Sequence, residues 1–168
     1  EGLDLPRNEL PPESEWERRD PLPRDVLLRM REHMKGNLRR PELGLIWRLL
    51  EGTGCRGAEV VGLRTEDVHV DVKYPHIWVR WHEERRVKTK VSIRAVPLVG
   101  DALTAATEAL DRAEGNKMLF PRYAYEGGPD AVSQALMKHL RKFTKERRHV
   151  VYSLRHNVKD WLVTAGVP

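Results

Sequence analysis

Apolar residues fall along this 168-residue chain in three successive rhythms. From Arg24 the period is helical: Val26, Met30 and Met34 recur at i, i+4 and i+8, and Gly36 supplies a stop. A second, more buried helix is predicted from Leu43 to Glu51 around Trp47, ending at Gly52. A third starts near Arg56 and stops before Arg64, with Val60, Val61 and Leu63 as its apolar face. The period then becomes two. In HIWVRWH, Ile77, Val79 and Trp81 alternate with Trp78, Arg80 and His82, as in a half-buried strand. VSIRAVPL (Val91 to Leu98) reads as its hairpin partner across the basic turn EERRVKTK, and a short strand near Val68 to Val70 precedes them.

The helical rhythm returns after Pro97. Asp101 is placed to cap a helix carrying Leu103, Ala106 and Leu110. MLFPRYAYEGGPD reads as a turn-rich connection, and Val132, Leu136, Leu140 and Phe143 mark the next helix. The last is expected to start at an N-cap Ser153 and to run through Leu154, Val158, Trp161 and Leu162 to Gly166. Helices, a small sheet, then helices predict an α+β fold: a mostly helical domain with a three-stranded antiparallel sheet. Residues Glu1 to Pro23 hold five of the eleven prolines and no periodic apolar pattern, so they read as a linker, with the domain proper at residues 24–168. The chain begins at Glu1 and not at Met, which points to a longer natural protein.

Composition narrows the class. No stretch approaches the roughly 20 apolar residues of a membrane span, and EGLDLPRNEL has no basic-then-apolar leader pattern. One cysteine, Cys55, cannot close an internal disulfide, so the expected compartment is a reducing cytoplasm. Net charge is +5, unevenly spread. The first twenty residues carry seven acids against three bases, while Lys138 to Lys159 carries eight Lys or Arg against one acid, Glu146. Such segregation suits a polyanion, most simply nucleic acid, or else a solvated basic face.

Seven histidines invite a metal, but HExxH and CxxC are absent and His76 and His82 have no further ligand at the right spacing, so no metal or cofactor is expected. GTGCRG lacks the Lys-Ser/Thr ending of a phosphate-binding loop, and Cys55 reads as a buried inert thiol. Arginine is the stronger lead. Arg56 begins one predicted helix and Arg155 lies in the first turn of another, so two planar, permanently charged forks could meet one phosphate. Glu59, three residues after Arg56, shares its helical face and could fix it by pairing. Spacing alone favours two unrelated salt-bridged arginines.

Three blocks then resemble the tyrosine recombinase (phage integrase) family. TGCRGAEVVGLRTEDV is similar to that family's T-G-x-R-x-x-E-x-x-x-L-R-x-x-D signature. KTKVSIRAVPL resembles the hairpin that carries its lysine, and SLRHNVKDWLVTAGV its second arginine block. They occur in the family's order and span Arg24 to Pro168. The resemblance implies that Arg56 and Arg155 are the catalytic arginines, that Lys88 (or Lys90, hairpin length being variable) is the general acid, and that Glu59 supports Arg56. His156 matches the histidine that follows the second arginine. Tyr152 stands where His is usual; it can donate a hydrogen bond but is a poor base at neutral pH.

The resemblance further implies double-stranded DNA as partner, with Arg85, Arg86, Lys90, Lys138, Arg141, Lys142, Lys145 and Lys159 as backbone contacts. It implies a tetramer on DNA and a bacterial or phage-infected cytoplasm. It also implies an attacking tyrosine after Pro168, which leaves this chain alone without a nucleophile. An inactive DNA-binding module of the same fold, and a helical domain with a protein partner, are the competing readings.

Overall fold

The computed structural model describes residues 18–36, 39–80, 82 and 93–168. Among the described residues there are six helices and one small sheet: α1 Arg24–Lys35, α2 Pro41–Thr53, α3 Gly57–Val61, α4 Gly100–Ala113, α5 Gly128–Leu140 and α6 Ser153–Thr164. Between α3 and α4 lie β1 Val68–His69, β2 His76–Val79 and β3 Arg94–Pro97, antiparallel in the order β1-β2-β3. Val68 faces Ile77 across the first pair, and Ile77 faces Val96 across the second. That register puts Ile77, Val79 and Val96 in the core, with Trp78 on the solvent face. Trp81 and the hairpin tip, residues 83–92, lie outside the described residues.

Helix α2 is the hub. Leu45, Ile46, Trp47, Leu49 and Leu50 are all buried, which accounts for its nearly continuous apolar sequence. It runs two residues past the predicted end because Gly52 belongs to a helix–helix contact. A Cβ on Gly52 would come 2.6 Å from the Ala102 Cβ of α4, so the two backbones meet where neither has bulk. The deep face of α4 is accordingly Ala102, Ala105, Ala106, Ala109 and Ala113, and the expected Leu103 and Leu110 sit only partly buried beside it.

Two buried polar residues on α2 fix its neighbours. Arg48 donates two hydrogen bonds to Asp101, at 3.0 and 2.9 Å, and Glu51 accepts from Arg31 of α1. Asp101 therefore serves an interhelical pair and does not cap α4, whose N-cap position, Val99, makes no side-chain cap bond. Ser153 likewise sits one residue inside α6. Its hydroxyl donates to the Arg148 carbonyl and accepts from the Val150 amide, closing the approach loop. At the other end Gly166 adopts φ +76°, with Val167 N–H on Leu162 O and Gly166 N–H on Val163 O, the paired bonds of a Schellman stop.

The end of the proline-rich segment packs on the domain. Leu22 is buried, and Asn157 of α6 clamps its backbone, accepting from Leu22 N–H at 2.8 Å and donating to Leu22 O at 2.9 Å. Residues 1–17 lie outside the described residues. Among the described residues no helix is long and apolar enough to cross a membrane.

Helices α1 and α5 meet through two histidines. His33 Nε2 and His139 Nδ1 are 2.7 Å apart, so one ring donates to the other, and Phe143 stands edge-on to His33. Burial holds both imidazoles below the ordinary histidine range; the Lys142 charge adds to this at each, and the facing ring does so at His139. The pair is therefore neutral when folded, and the unfolded chain takes up protons first as pH falls below the usual histidine value. Stability is predicted to fall between pH 7.5 and 5.5 in urea titrations. His139→Gln, which cannot titrate, should make that fall shallower, and an unchanged slope would contradict the assignment.

Candidate functional site

The chain reverses sharply after α2. Gly54 takes φ +66°, and its carbonyl is left without a helical partner. Arg155, in the first turn of α6, donates Nη1–H to that carbonyl at 2.7 Å. A Cβ on Gly54 would sit 3.0 Å from Val158 Cβ, so α6 can lie this close only against glycine. The T-G-x-R block and the L-R-H block are thus joined through one backbone oxygen.

Arg56 follows in extended conformation (φ −73°, ψ 152°) immediately before α3. Glu59 Oε2 accepts its backbone N–H at 2.8 Å, the return half of a capping box. Arg56 Nη1 also lies 3.4 Å from Glu59 Oε1, a long contact that leaves the side chain half exposed. The strong partner of Glu59 is Arg94 on β3, which spans both carboxylate oxygens at 3.1 and 3.0 Å. Burial by itself would raise the Glu59 carboxyl. The Arg94 hydrogen bonds, the Arg56 amide and the two guanidinium charges outweigh it and hold the group below the usual glutamate range. Arg94 was not among the residues singled out from sequence, although it is the arginine of the R-x-V-P-L block.

Arg56 and Arg155 reach the rim of one small cleft, about 130 Å³, whose walls include Tyr152, Val151, Pro129 and Ser133. The Arg155 guanidinium lies 5.7 Å from the centre of the Tyr152 ring, and His156 meets that ring edge-on at 5.8 Å. Tyr152, which lines the cleft, is nearly half exposed. Cys55 lines the cleft floor but is buried, and burial pushes its thiol up, as expected of an unreactive sulfur.

The remaining predicted residues divide. Lys88, Lys90, Arg85 and Arg86 lie outside the described residues. Lys138 on α5, Lys142 just beyond it and Lys159 on α6 are exposed. The predicted helix through Phe143 ends at Leu140, because Arg141 turns back to donate to the carbonyls of Glu146 and His149. Lys145 donates to Arg141 O in the same loop. His82 is buried against the Gly62 carbonyl at 2.7 Å, and His76 Nδ1 lies 2.8 Å from Tyr74 O. Among the described residues no three His, Cys, Asp or Glu side chains converge on a point that could hold a metal.

The two arginines around Glu59 should separate in stability measurements. Removing one partner of a buried pair costs about 3–5 kcal/mol. Arg94 keeps about a third of its side chain in water, so Arg94→Ala should cost about 3 kcal/mol in chemical denaturation. Arg56→Ala, half exposed, should cost less than about 1 kcal/mol. Equal losses would show that Arg56 carries as much of the carboxylate as Arg94 does.

Three comparisons bear on this geometry. Three solved structures of the Tn1549 transposon integrase resemble the fold. One, in complex with circular intermediate DNA, matches with TM-score 0.65 and 19% identity over 88% of this chain and 55% of that one. A second, with transposon right end DNA, gives 0.62 at 18% identity over 88% and 54%. The third, also with a circular intermediate DNA, gives 0.68 at 18% identity over 93% and 57%. The chain therefore spans about half the length of the structures it matches. No curated protein sequence gives a significant match. The phage integrase family model matches residues 21–168, across α1 to α6 and both arginine blocks, and on that evidence the chain belongs to the phage integrase family.

Proposed function

We propose that this domain is the catalytic part of a site-specific DNA recombinase, with Arg56 and Arg155 holding the scissile phosphate. The carrying observation is that Arg56 and Arg155, from two separate sequence blocks, line one small cleft. Fixed cations of this kind stabilise charge that grows on the non-bridging oxygens as phosphorus is attacked, without a metal. Glu59, paired with Arg94, fixes the Arg56 backbone, and the Gly54 carbonyl holds Arg155, so little reorganisation is needed when substrate arrives.

In the proposed reaction a tyrosine oxygen downstream of Pro168 attacks the phosphodiester and forms a 3′-phosphotyrosyl bond. The 5′ oxygen leaves and takes a proton from Lys88, in the sequence between β2 and β3. A 5′ hydroxyl from a second duplex then attacks the phosphotyrosine, releasing tyrosine and closing the new strand. Tyr152 would donate a hydrogen bond to a phosphate oxygen, and His156, edge-on to its ring, would orient it. Lys138, Lys142 and Lys159 would contact backbone phosphates, and assembly as a tetramer on DNA belongs to the same reading. The Tn1549 structures, solved with DNA, support the choice of partner.

Arg56→Ala or Arg155→Ala in the longer protein should lower covalent trapping on a nicked DNA substrate by about 10²–10³ or more, with the thermal melt of Arg56→Ala unchanged. Wild-type trapping by either variant would sink the assignment. Trapping by the 168-residue chain alone would move the nucleophile to a tyrosine within it, with Tyr152 the first to test. The absence of trapping in the longer wild-type protein, with DNA binding intact, would favour an inactive DNA-binding module.

A further inference from the structure

The first seventeen residues, EGLDLPRNELPPESEWE, carry six acids against one base, Arg7. Three of the acids alternate at Glu13, Glu15 and Glu17, directly after Pro11 and Pro12. Proline favours an extended backbone, and in an extended run every second side chain points the same way, about 7 Å apart. A row of like charges repels itself and gains most from a partner of opposite sign. The place where this run joins the domain is fixed. Asp20 donates its amide to the Arg148 carbonyl at 3.2 Å, and its carboxylate lies 3.7 Å from the Arg148 guanidinium.

Arg148 belongs to the loop after α5, which Arg141 folds back on itself by donating to the carbonyls of Glu146 and His149. The same loop opens with Lys142, which lines an open groove of about 830 Å³. Arg39 and Arg40, before α2, form the far bank, with Lys138 on α5 and Arg122 in the 3₁₀ turn Pro121–Tyr123. All five cations are exposed, and among the described residues no carboxylate lies within 4 Å of any of them. The paired state of Arg31, Arg48, Arg80 and Arg94, each held by a carboxylate, is the contrast. Reach is sufficient. Lys142 stands six residues before Arg148, at most about 20 Å along the chain, whereas Glu13 stands seven before Asp20, a reach of roughly 23–25 Å.

We infer that the acidic segment, residues 1–17, docks in this groove within the same molecule and covers its five cations. Charge complementarity and the tether at Arg148 choose this occupant. The docked segment closes the groove to any other polyanion until it is displaced. For a DNA-binding domain that amounts to autoinhibition, a consequence that rests on the recombinase reading; the docking itself does not.

The test is paramagnetic broadening in the 168-residue chain, with a spin label on Leu10→Cys; Cys55 is buried and stays unlabelled. Amide signals of Ala131, Gln134 and Lys138 should lose most of their intensity at low ionic strength. They should recover near 1 M salt, where the screening length falls to about 3 Å. Arg39→Gln/Arg40→Gln/Arg122→Gln should abolish the broadening with an unchanged circular-dichroism melt. Groove amides that stay sharp at low salt, or broadening that survives the triple variant, would overturn the docking. Broadening seen only between a spin-labelled copy and a separate isotope-labelled copy would give the groove to a second molecule and overturn the intrachain contact. Autoinhibition is read separately, by fluorescence anisotropy with a labelled DNA duplex. A groove filled roughly nine-tenths of the time raises the apparent Kd about tenfold, so Glu13→Gln/Glu15→Gln/Glu17→Gln should tighten binding by up to that factor. Unchanged affinity in this variant would overturn the autoinhibition. No duplex binding by either chain, with the broadening present, would overturn the DNA reading and uphold the docking.

Discussion

Glu59 puts a carboxylate where only 6% of the residue meets solvent, and the elements around it are arranged to keep that charge paired. Arg94 brings β3 to it, and the backbone amide of Arg56 brings the start of α3. A buried charge left without a partner costs several kcal/mol, so β3, α3 and the turn after α2 cannot drift apart independently. The consequence for Arg56 is indirect. Its backbone is fixed by the carboxylate, while its guanidinium makes only a long contact and stays half exposed, free to meet an anion. The initial expectation of a simple Arg56–Glu59 pair becomes a division of labour, in which Arg94 neutralises the carboxylate and Arg56 remains available.

The second arginine is held by a complementary device. Gly54 ends α2 in a left-handed turn, exposes a carbonyl and leaves room for Val158, and Arg155 takes that carbonyl. One glycine therefore does three things that a side chain would prevent or strain. Helix α2 is the common reference for both arrangements. It carries the glycine at its end, and its interhelical pairs, Arg48 with Asp101 and Glu51 with Arg31, anchor it to α4 and α1. Rigid support of this kind is what an electrostatic site requires, because its effect depends on donors that are already in place.

Periodicity made the skeleton legible. Helices α1, α2 and α5 and the alternation of Ile77, Trp78 and Val79 follow from apolar spacing, because burial of one face is the force that forms them. Helix α6 departs from this, since Trp161 and Leu162 are exposed and its buried residues are Ser153, Leu154 and Asn157. Roles decided by a distant partner were not legible in the same way. Asp101 and Ser153 both look like caps in sequence, yet Asp101 is claimed by Arg48, 53 residues away, and Ser153 by its own approach loop. The alanine face of α4 is underweighted by any hydrophobicity argument, since its value lies in smallness against Gly52. At the site, Arg56, Tyr152 and Arg155 could be named from motif spacing, and the cleft brings them together. Arg94 could not be assigned its partner, because a strand arginine 35 residues from its glutamate leaves no local pattern.

The account's central claim is that Arg56 and Arg155 act on one phosphate. A double-mutant cycle in a protein that joins this domain to an attacking tyrosine tests it most directly, using Arg56→Lys, Arg155→Lys and the double variant, each of which keeps the charge but loses the planar fork. The observable is the rate of covalent complex formation on a nicked duplex. Groups that serve one phosphate as a unit give strongly non-additive losses, so the double variant is predicted to be little slower than the worse single variant. Losses that multiply would mean that the two arginines serve separate phosphates, and the shared clamp would be wrong.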